Sequence, residues 1–515
     1  MLVRNRSPKR SPTPTASRRS ESDGPPVSTL PLEVLVQIFE VLVHDYCRHL
    51  YCWVPEVTHV CSYWRELAIN TPSLWTAIPT SNVYNILNPN WTRICLDRAK
   101  THPVKVNLVH TDWKKNLAVL KHLSHIGSLH IEMHAEELDD IAYILSLVGD
   151  EAKDLKELVI RGFTDDDRQF ELPPTLFHGA SKLEILELLY IFIDWSMPLL
   201  QNLTCLTLHA LSRKNAPSWT QLLATLDRMP GLVTLVLNLA HPLGYPPEDL
   251  APIHLPHLEN LTLGCYHAPN ATAFLRRVTF PPLVKLIISC GGHSKANYLH
   301  CLRAMARLLP ITFPGDFSHL IINWDHRPII TNQGVRFRLR SHHSEPETPV
   351  DIDLACTPQA SIETVIEHVL EGLLLRSTLT CLSINGCNSP TISATAFRQL
   401  FGQIPELHTI EVEDPTSVAC NLILALSIPI NHPPGATLDF PSLQYLSLGA
   451  VDLDYNNRNC SDLEDALMQR YEYGAEILCL NVTGCYMLSE KTVQRFAGIL
   501  HDVIWDGVVL ETRSY

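Results

Sequence analysis

A short phrase, apolar-x-x-apolar-x-apolar, recurs from residue 91 onward and constrains the fold more than any other feature. It reads Leu155-x-x-Leu158-x-Ile160, Leu183-x-x-Leu186-x-Leu188, Leu203-x-x-Leu206-x-Leu208 and Leu232-x-x-Leu235-x-Leu237. It continues as Leu258-x-x-Leu261-x-Leu263 and Leu283-x-x-Leu286-x-Ile288. Later copies are Leu379-x-x-Leu382-x-Ile384, Leu407-x-x-Ile410-x-Val412, Leu443-x-x-Leu446-x-Leu448 and Ile477-x-x-Leu480-x-Val482, with weaker ones from Trp91, Ile126 and Phe317. Most steps are 20 to 36 residues, and repetition at this period is the mark of a solenoid. Alternate apolar residues of a short strand point inward, and the rest of each unit covers the other side. Ile362–Leu370 and Ala466–Tyr471 have the helical spacing such covers need. Prolines in Leu255-Pro256-His257-Leu258 and Phe440-Pro441-Ser442-Leu443 are expected to end a helix before the strand starts.

Residues 323 to 378 break the pattern. They contain the alternation Val335-Arg-Phe-Arg-Leu339, the polar segment His342-His-Ser-Glu-Pro346, and Val350-Asp-Ile-Asp-Leu354. Two longer inserted strands and a pair of irregular repeats are both compatible with this composition.

The segment Leu30 to Ile78 is organised differently. Leu32, Leu35, Phe39 and Leu42 fall at helical spacing, while Val34, Ile38 and Val41 widen the apolar face beyond one stripe. A helix this apolar is covered on more than one side. Pro31 suits the first helical position, and Glu33 lies near the positive end of the helix dipole. After an irregular spacer, Val43 to Trp53, a second helix is predicted from Val57, Val60, Cys61, Trp64, Leu67 and Ala68. Pro72 stops it, and Leu74 and Trp75 follow as a large apolar pair. About 50 residues cannot enclose a core of their own, so this module must dock on something.

At these residues the chain resembles an F-box. Leu30-Pro31, Glu33, Leu35, Ile38-Phe39 and Leu42 match the first helix of that motif. Val60-Cys61, Trp64-Arg65, Leu67-Ala68, Thr71-Pro72 and Leu74-Trp75 match its second half, in the form common in fungal F-box-like proteins. The repeats are similar to leucine-rich repeats: Cys387 and Cys485 stand where that family places Asn or Cys, while Phe163, Ile191, Leu211 or Ala240 stand there in other units. The resemblances imply an α/β chain: all-α F-box helices at 28–79, then an irregular leucine-rich-repeat solenoid of parallel strands with covering helices at 80–515, with an insert near 323–378. They also imply a non-catalytic substrate-recognition subunit of an SCF ubiquitin ligase. Leu30, Pro31, Leu35, Ile38 and Phe39 would contact the Skp-type adaptor, and through it the cullin and RING subunits. Trp64, Leu67, Leu74 and Trp75 would complete the docking core or its interface. A protein substrate would meet a concave row built from the outward strand positions Glu157, Arg161, Glu187, His209, Asn238, Asn260, Lys285, Ser289, Asn385, Glu411, Glu413, Tyr445 and Asn481. A repeat scaffold merely capped by the N-terminal helices is the other reading.

Composition narrows the remaining classes. Net charge is −14, and the first 20 residues hold six Lys/Arg and no acid, which leaves 34 basic against 54 acidic residues in the body. A large nucleic-acid footprint needs a basic face, so nucleic acid is not expected as a partner. No run of 18 apolar residues is long enough to span a membrane. Fifteen cysteines without a C-x-x-C pair point to reduced thiols in cytosol or nucleus. Residues 1–27, rich in Ser, Pro and Arg, are expected to be a disordered basic tail, and Ser7-Pro8, Ser11-Pro12 and Thr13-Pro14 could accept proline-directed phosphates. Two motifs tempt a catalytic or metal reading. Ser294 in Gly292-His293-Ser294-Lys295-Ala296 approaches a nucleophile elbow but lacks the last glycine. His44, Cys47, His49, Cys52, His59 and Cys61 cluster without the paired spacing of zinc sites. No cofactor or metal is expected.

Overall fold

The computed structural model describes residues 30–48, 53–78, 89–109, 120, 122–134, 152–163, 170–173, 177, 179–209, 216–238, 242, 246–265, 268–281, 283, 285–290, 299–306, 317–325, 334–341, 350–355, 361–386, 391–413, 416–429, 437–453 and 459–509. The chain divides into two compact units, Met1–Asn107 and Leu108–Tyr515.

In the first unit, helix α1 spans Leu32–Arg48, α2 Val54–Thr58 and α3 Ser62–Asn70, followed by a 3-10 turn at Pro72–Trp75. The first helix runs into the segment expected to be an irregular spacer, because Val43-His-Asp-Tyr-Cys-Arg48 contains no glycine or proline to stop it. The expected second helix is broken in two. Cys61 sits in an extended conformation, and its Sγ accepts from the Trp64 N–H at 3.4 Å, so it caps α3 and is not on an apolar face. Val60, in the turn before it, is exposed. Pro72 does end α3: Thr71, the residue before it, is extended.

This unit also extends beyond residue 79. Helix α4, Pro89–Ala99, buries Cys95, Leu96 and Ala99, and the short strand Ala77–Ile78 pairs in parallel with Lys105–Val106. The added helix supplies core that the F-box segment is too short to make for itself. Trp75 lies at its centre. Its ring meets Trp53 edge-on at 5.2 Å, its Nε1 donates to Ala68 O at 2.7 Å, and the Arg98 guanidinium stands 4.2 Å from its centroid.

In the second unit the repeated phrases become strands in register. Parallel pairing runs from Ile126–His134 through Glu157–Phe163, Ile185–Leu189, Cys205–His209, Thr234–Asn238 and Asn260–Cys265 to Lys285–Cys290. It resumes with Phe317–Asp325 against Cys381–Asn385, then Thr409–Glu413, Tyr445–Gly449, Cys479–Asn481 and Asp502–Ile504. Leu129, Leu158, Leu186, Leu206, Leu235, Leu261 and Leu286 form one continuous row and are all buried. Helices Trp219–Asp227, Ala268–Arg277, Ile362–Gly372, Ala394–Phe401, Thr416–Leu426 and Asn459–Glu472 occur between strands. The covers expected at 362–370 and 466–471 lie in two of them, with Ile362, Val365, Ile366, Val369, Leu370, Ala466 and Leu467 buried; Tyr471, expected in the second cover, is exposed. The prolines do not end helices. Pro256 follows the short strand Ile253–His254, and Pro441 follows Phe440, which has φ +56° and lies 14 residues past Leu426.

Of the two readings of the irregular stretch, inserted strands are what the structure shows: Gly334–Ser341 and Val350–Ala355 follow the strand Phe317–Asp325. Val350–Ala355 pairs in parallel with Lys285–Cys290, and Gly334–Ser341 runs antiparallel between it and Phe317–Asp325. The spatial order of the three strands is therefore the reverse of their chain order. Their parity nevertheless matches the sheet: Leu286 opposes Val350, Val350 opposes Leu339, Leu339 opposes Leu320, and Leu320 opposes Leu382. Phe337 opposes Ile322 and is fully buried. Phe337→Ala should cost about 3–5 kcal/mol. The expected readout is a lower denaturation midpoint of the second unit, whereas the smaller Phe337→Leu change keeps most of the stability.

Candidate functional site

Two surfaces carry the residues singled out from the sequence. On α1 the apolar residues separate into two stripes. Leu35, Phe39 and Val43 are buried, and Phe39 meets Trp64 edge-on at 4.9 Å. Leu74 and Trp75 belong to the same core. Leu30, Trp64 and Leu67 are half-buried and Pro31 is exposed. Val34, Ile38 and Val41, at i, i+4 and i+7, remain 39%, 44% and 71% exposed, with Leu32 beside them at 47%. The Glu40 carboxylate accepts from Ser73 Oγ at 2.7 Å and fixes the helix against the 3-10 turn. Of the expected adaptor contacts, Pro31 and Ile38 thus lie open, while Leu35, Phe39, Leu74 and Trp75 hold the module together. Tyr63 and Ile69 on α3 are further exposed apolar groups that neither half of the motif match includes.

The second surface is the polar face of the sheet. Alternation puts all thirteen outward residues on the same face, but in three lines and not one. Glu157, Asn260, Lys285 and Tyr445 fall in the first line; Glu187, Glu411 and Asn481 in the second; Arg161, His209, Asn238, Ser289, Asn385 and Glu413 in the third. Lys285 and Glu413 are exposed, Asn238 and Ser289 are buried, and the others are half-buried.

Two polar clusters stand on this face. In the first, Arg161 reaches Glu187 Oε1 at 2.9 Å and Glu132 Oε1 at 3.2 Å. Burial opposes its charge, yet hydrogen bonds and the two carboxylates outweigh that and raise its pKa above the ordinary arginine value. Ser128 Oγ donates to Glu157 Oε2 at 2.6 Å, and His130 Nε2 lies 3.0 Å from Glu157 Oε1. Asn238 Nδ2 donates to His209 Nδ1 at 3.2 Å, which requires that nitrogen to be unprotonated. Gly264 opposes Asn238 in register, and a Cβ there would collide with the Asn238 side chain, so the position needs glycine.

The second cluster was not anticipated from sequence. Ser383 Oγ donates to Glu411 Oε2 at 2.6 Å, and His319 Nε2 lies 2.7 Å from the same Oγ. With the serine proton on Glu411, His319 is left to donate. Cys381 opposes His319 in register, and burial followed by the Glu411 charge pushes its thiol up to about 12. Finding this group from sequence required the reversed strand order that sets residues 319 and 381 side by side.

Of the tempting motifs, Ser294 and its neighbours, and His49 and Cys52, lie outside the described residues, as do the tail and Cys387. Cys485 donates its S–H to Leu448 O at 2.6 Å and is buried; burial holds its pKa up at about 12. Among the described residues no helix is long and apolar enough to cross a membrane.

Residues 27–78 match the family model described as F-box-like. No curated protein matches the chain. The N-terminal unit thus carries an F-box-like domain, a kind of domain that typically binds Skp-type adaptors and suggests an adaptor role in ubiquitin ligase complexes.

Burial lowers the His209 pKa below the ordinary 6.5, against the opposing Glu187 charge. The unfolded chain therefore takes up a proton near pH 6.5 that the folded chain refuses, and stability falls as pH drops through 6.5 until the folded value is reached. NMR titration should place His209 below 6.5, and His209→Gln should remove this part of the acid sensitivity.

Proposed function

We propose that the chain is the substrate-recognition subunit of an SCF-type ubiquitin ligase, non-catalytic and working in cytosol or nucleus. The F-box-like helices bind the Skp-type adaptor, which links to the cullin and RING subunits. The second unit is an irregular leucine-rich-repeat-like solenoid that binds a protein substrate through the polar sheet face, with Glu157, Arg161, Glu187, His209, Asn238, Lys285, Glu411, Tyr445 and Asn481 at the contact. The chain contributes proximity and orientation, while chemistry is done elsewhere in the complex.

The observation that carries this reading is the Val34/Ile38/Val41 stripe. It occupies a helix inside the matched segment, and among the described residues of its unit it stays exposed. Isolated exposed apolar residues are ordinary on a protein surface, but an aligned stripe beside further exposed apolar groups marks an interaction site. The sheet supports the other half. Parallel strands are normally covered on both faces, whereas in Cys205–His209 and Tyr445–Gly449 half-buried and buried residues alternate, which leaves one face partly accessible.

Co-purification with the Skp-type adaptor of the same organism tests the first half. Ile38→Ala should weaken the complex by about 1–2 kcal/mol, roughly 5–30-fold, with an unchanged melting temperature. Phe39→Ala should instead lower the melting temperature, because Phe39 is core. A folded wild-type chain that captures no adaptor would reduce the N-terminal helices to a cap on a repeat scaffold.

A further inference from the structure

We propose that His319, Cys381 and Glu411 form a binding site for a zinc-class transition metal ion on the polar face of the sheet. Their three donor atoms, one imidazole nitrogen, one thiol sulfur and one carboxylate oxygen, all lie within 4.8 Å of one another. They come from three adjacent strands, Phe317–Asp325, Cys381–Asn385 and Thr409–Glu413, whose pairing is fixed by backbone ladders. All three residues are half-buried, which lets an ion enter from solvent while the sheet limits their movement.

The donor types select the ion. Imidazole, thiolate and carboxylate are the three zinc ligand types, at about 2.0–2.3 Å. Magnesium and calcium prefer all-oxygen shells, and a thiolate favours softer ions. Bonds of that length set ligand atoms about 3–4 Å apart, so the trio closes on an ion by shifts of about 1 Å. Coordination replaces the His319–Ser383 hydrogen bond and releases the Cys381 thiol proton to solvent. Ser383, buried to 4% exposure beside Glu411, keeps its hydrogen bond to the second carboxylate oxygen and orients that ligand. Three protein donors leave a fourth position for water, as in zinc sites that are not closed.

The site is independent of adaptor binding, so its test does not depend on the ligase reading. The full chain, stripped with chelator, is titrated with cobalt(II) and then competed with zinc. The expected result is one tightly bound equivalent with a thiolate-to-cobalt charge-transfer band that zinc abolishes. Cys381→Ser should lose the band, and His319→Gln and Glu411→Gln should each weaken binding, while the exposed-thiol control Cys61→Ser keeps it. X-ray absorption of the zinc-loaded wild-type protein should show one sulfur among nitrogen and oxygen neighbours, and this measurement needs no variant to fold. The proposal is overturned by a folded wild-type chain that shows no band, by a band that survives in Cys381→Ser, or by a zinc shell without sulfur.

Discussion

The second unit depends on the register in which apolar residues of neighbouring strands stack. Each short strand contributes two or three inward side chains, far too few to hold a strand of five residues in place alone. Stacked as Leu158, Leu186, Leu206, Leu235, Leu261 and Leu286, they become one row of fully buried contacts. A slip by one residue would send every member of a strand to the polar face and bring the charged positions inward. Glu187 and Arg161, for example, would then face the core. The charge of the outer face and the hydrophobicity of the inner one therefore enforce the same register.

Arginines extend this coupling beyond the sheet. Arg398 donates to the carbonyls of Leu424, Ala425 and Ser427, at the C-terminal end of the following helix, where carbonyls lack intrahelical partners. Arg470 is buried and donates to the carbonyls of Asp439 and Phe440, which precede the strand Tyr445–Gly449 on the N-terminal side of its own helix. Arg228 reaches Trp195 O, Arg277 reaches Pro247 O and Glu248 O, and Arg376 reaches Leu400 O. Each bridge joins segments 24 to 33 residues apart, close to one repeat. A guanidinium carries several donors on a long stem, so it can satisfy carbonyls left bare where successive units meet. For Arg470, burial lowers the pKa to about 10, which still leaves it charged at neutral pH.

Much of this was legible in the phrase. A period of two identifies inward and outward residues without knowledge of any partner strand, and the thirteen outward positions all share the polar face. Their arrangement in three lines was not legible, because the line depends on which residue of a strand opposes which residue of the next. In the stretch 323–378 two inserted strands were legible as one of two readings, but their pairing was not, for the same reason. Alternation in Val335-Arg-Phe-Arg-Leu339 marks a strand, but neither its direction nor its neighbours are local properties. Only the reversed spatial order brings His319 beside Cys381, residues 62 apart in sequence. The break before α3 was hidden differently. Val57, Val60, Cys61 and Trp64 keep helical spacing across it, and a cysteine cap is outside the usual Ser, Thr, Asp and Asn set.

Helix α1 shows why spacing alone could not separate scaffold from contact. Its two apolar stripes are interleaved, so Leu35 and Phe39 sit next in sequence to Val34 and Ile38. The buried stripe pairs with Trp64 and the region of Leu74 and Trp75, and α4 adds the remaining cover for that core. Among the described residues the open stripe has no such partner within the unit, and its members stay 39% to 71% exposed. Valines and an isoleucine left this exposed on a helix contribute less to folding than the same residues fully buried. A sequence selected only for stability would therefore gain solubility from polar residues at 34, 38 and 41. Their presence beside a complete core is the physical reason to test this face of the helix, and not the buried one, for the proposed adaptor contact.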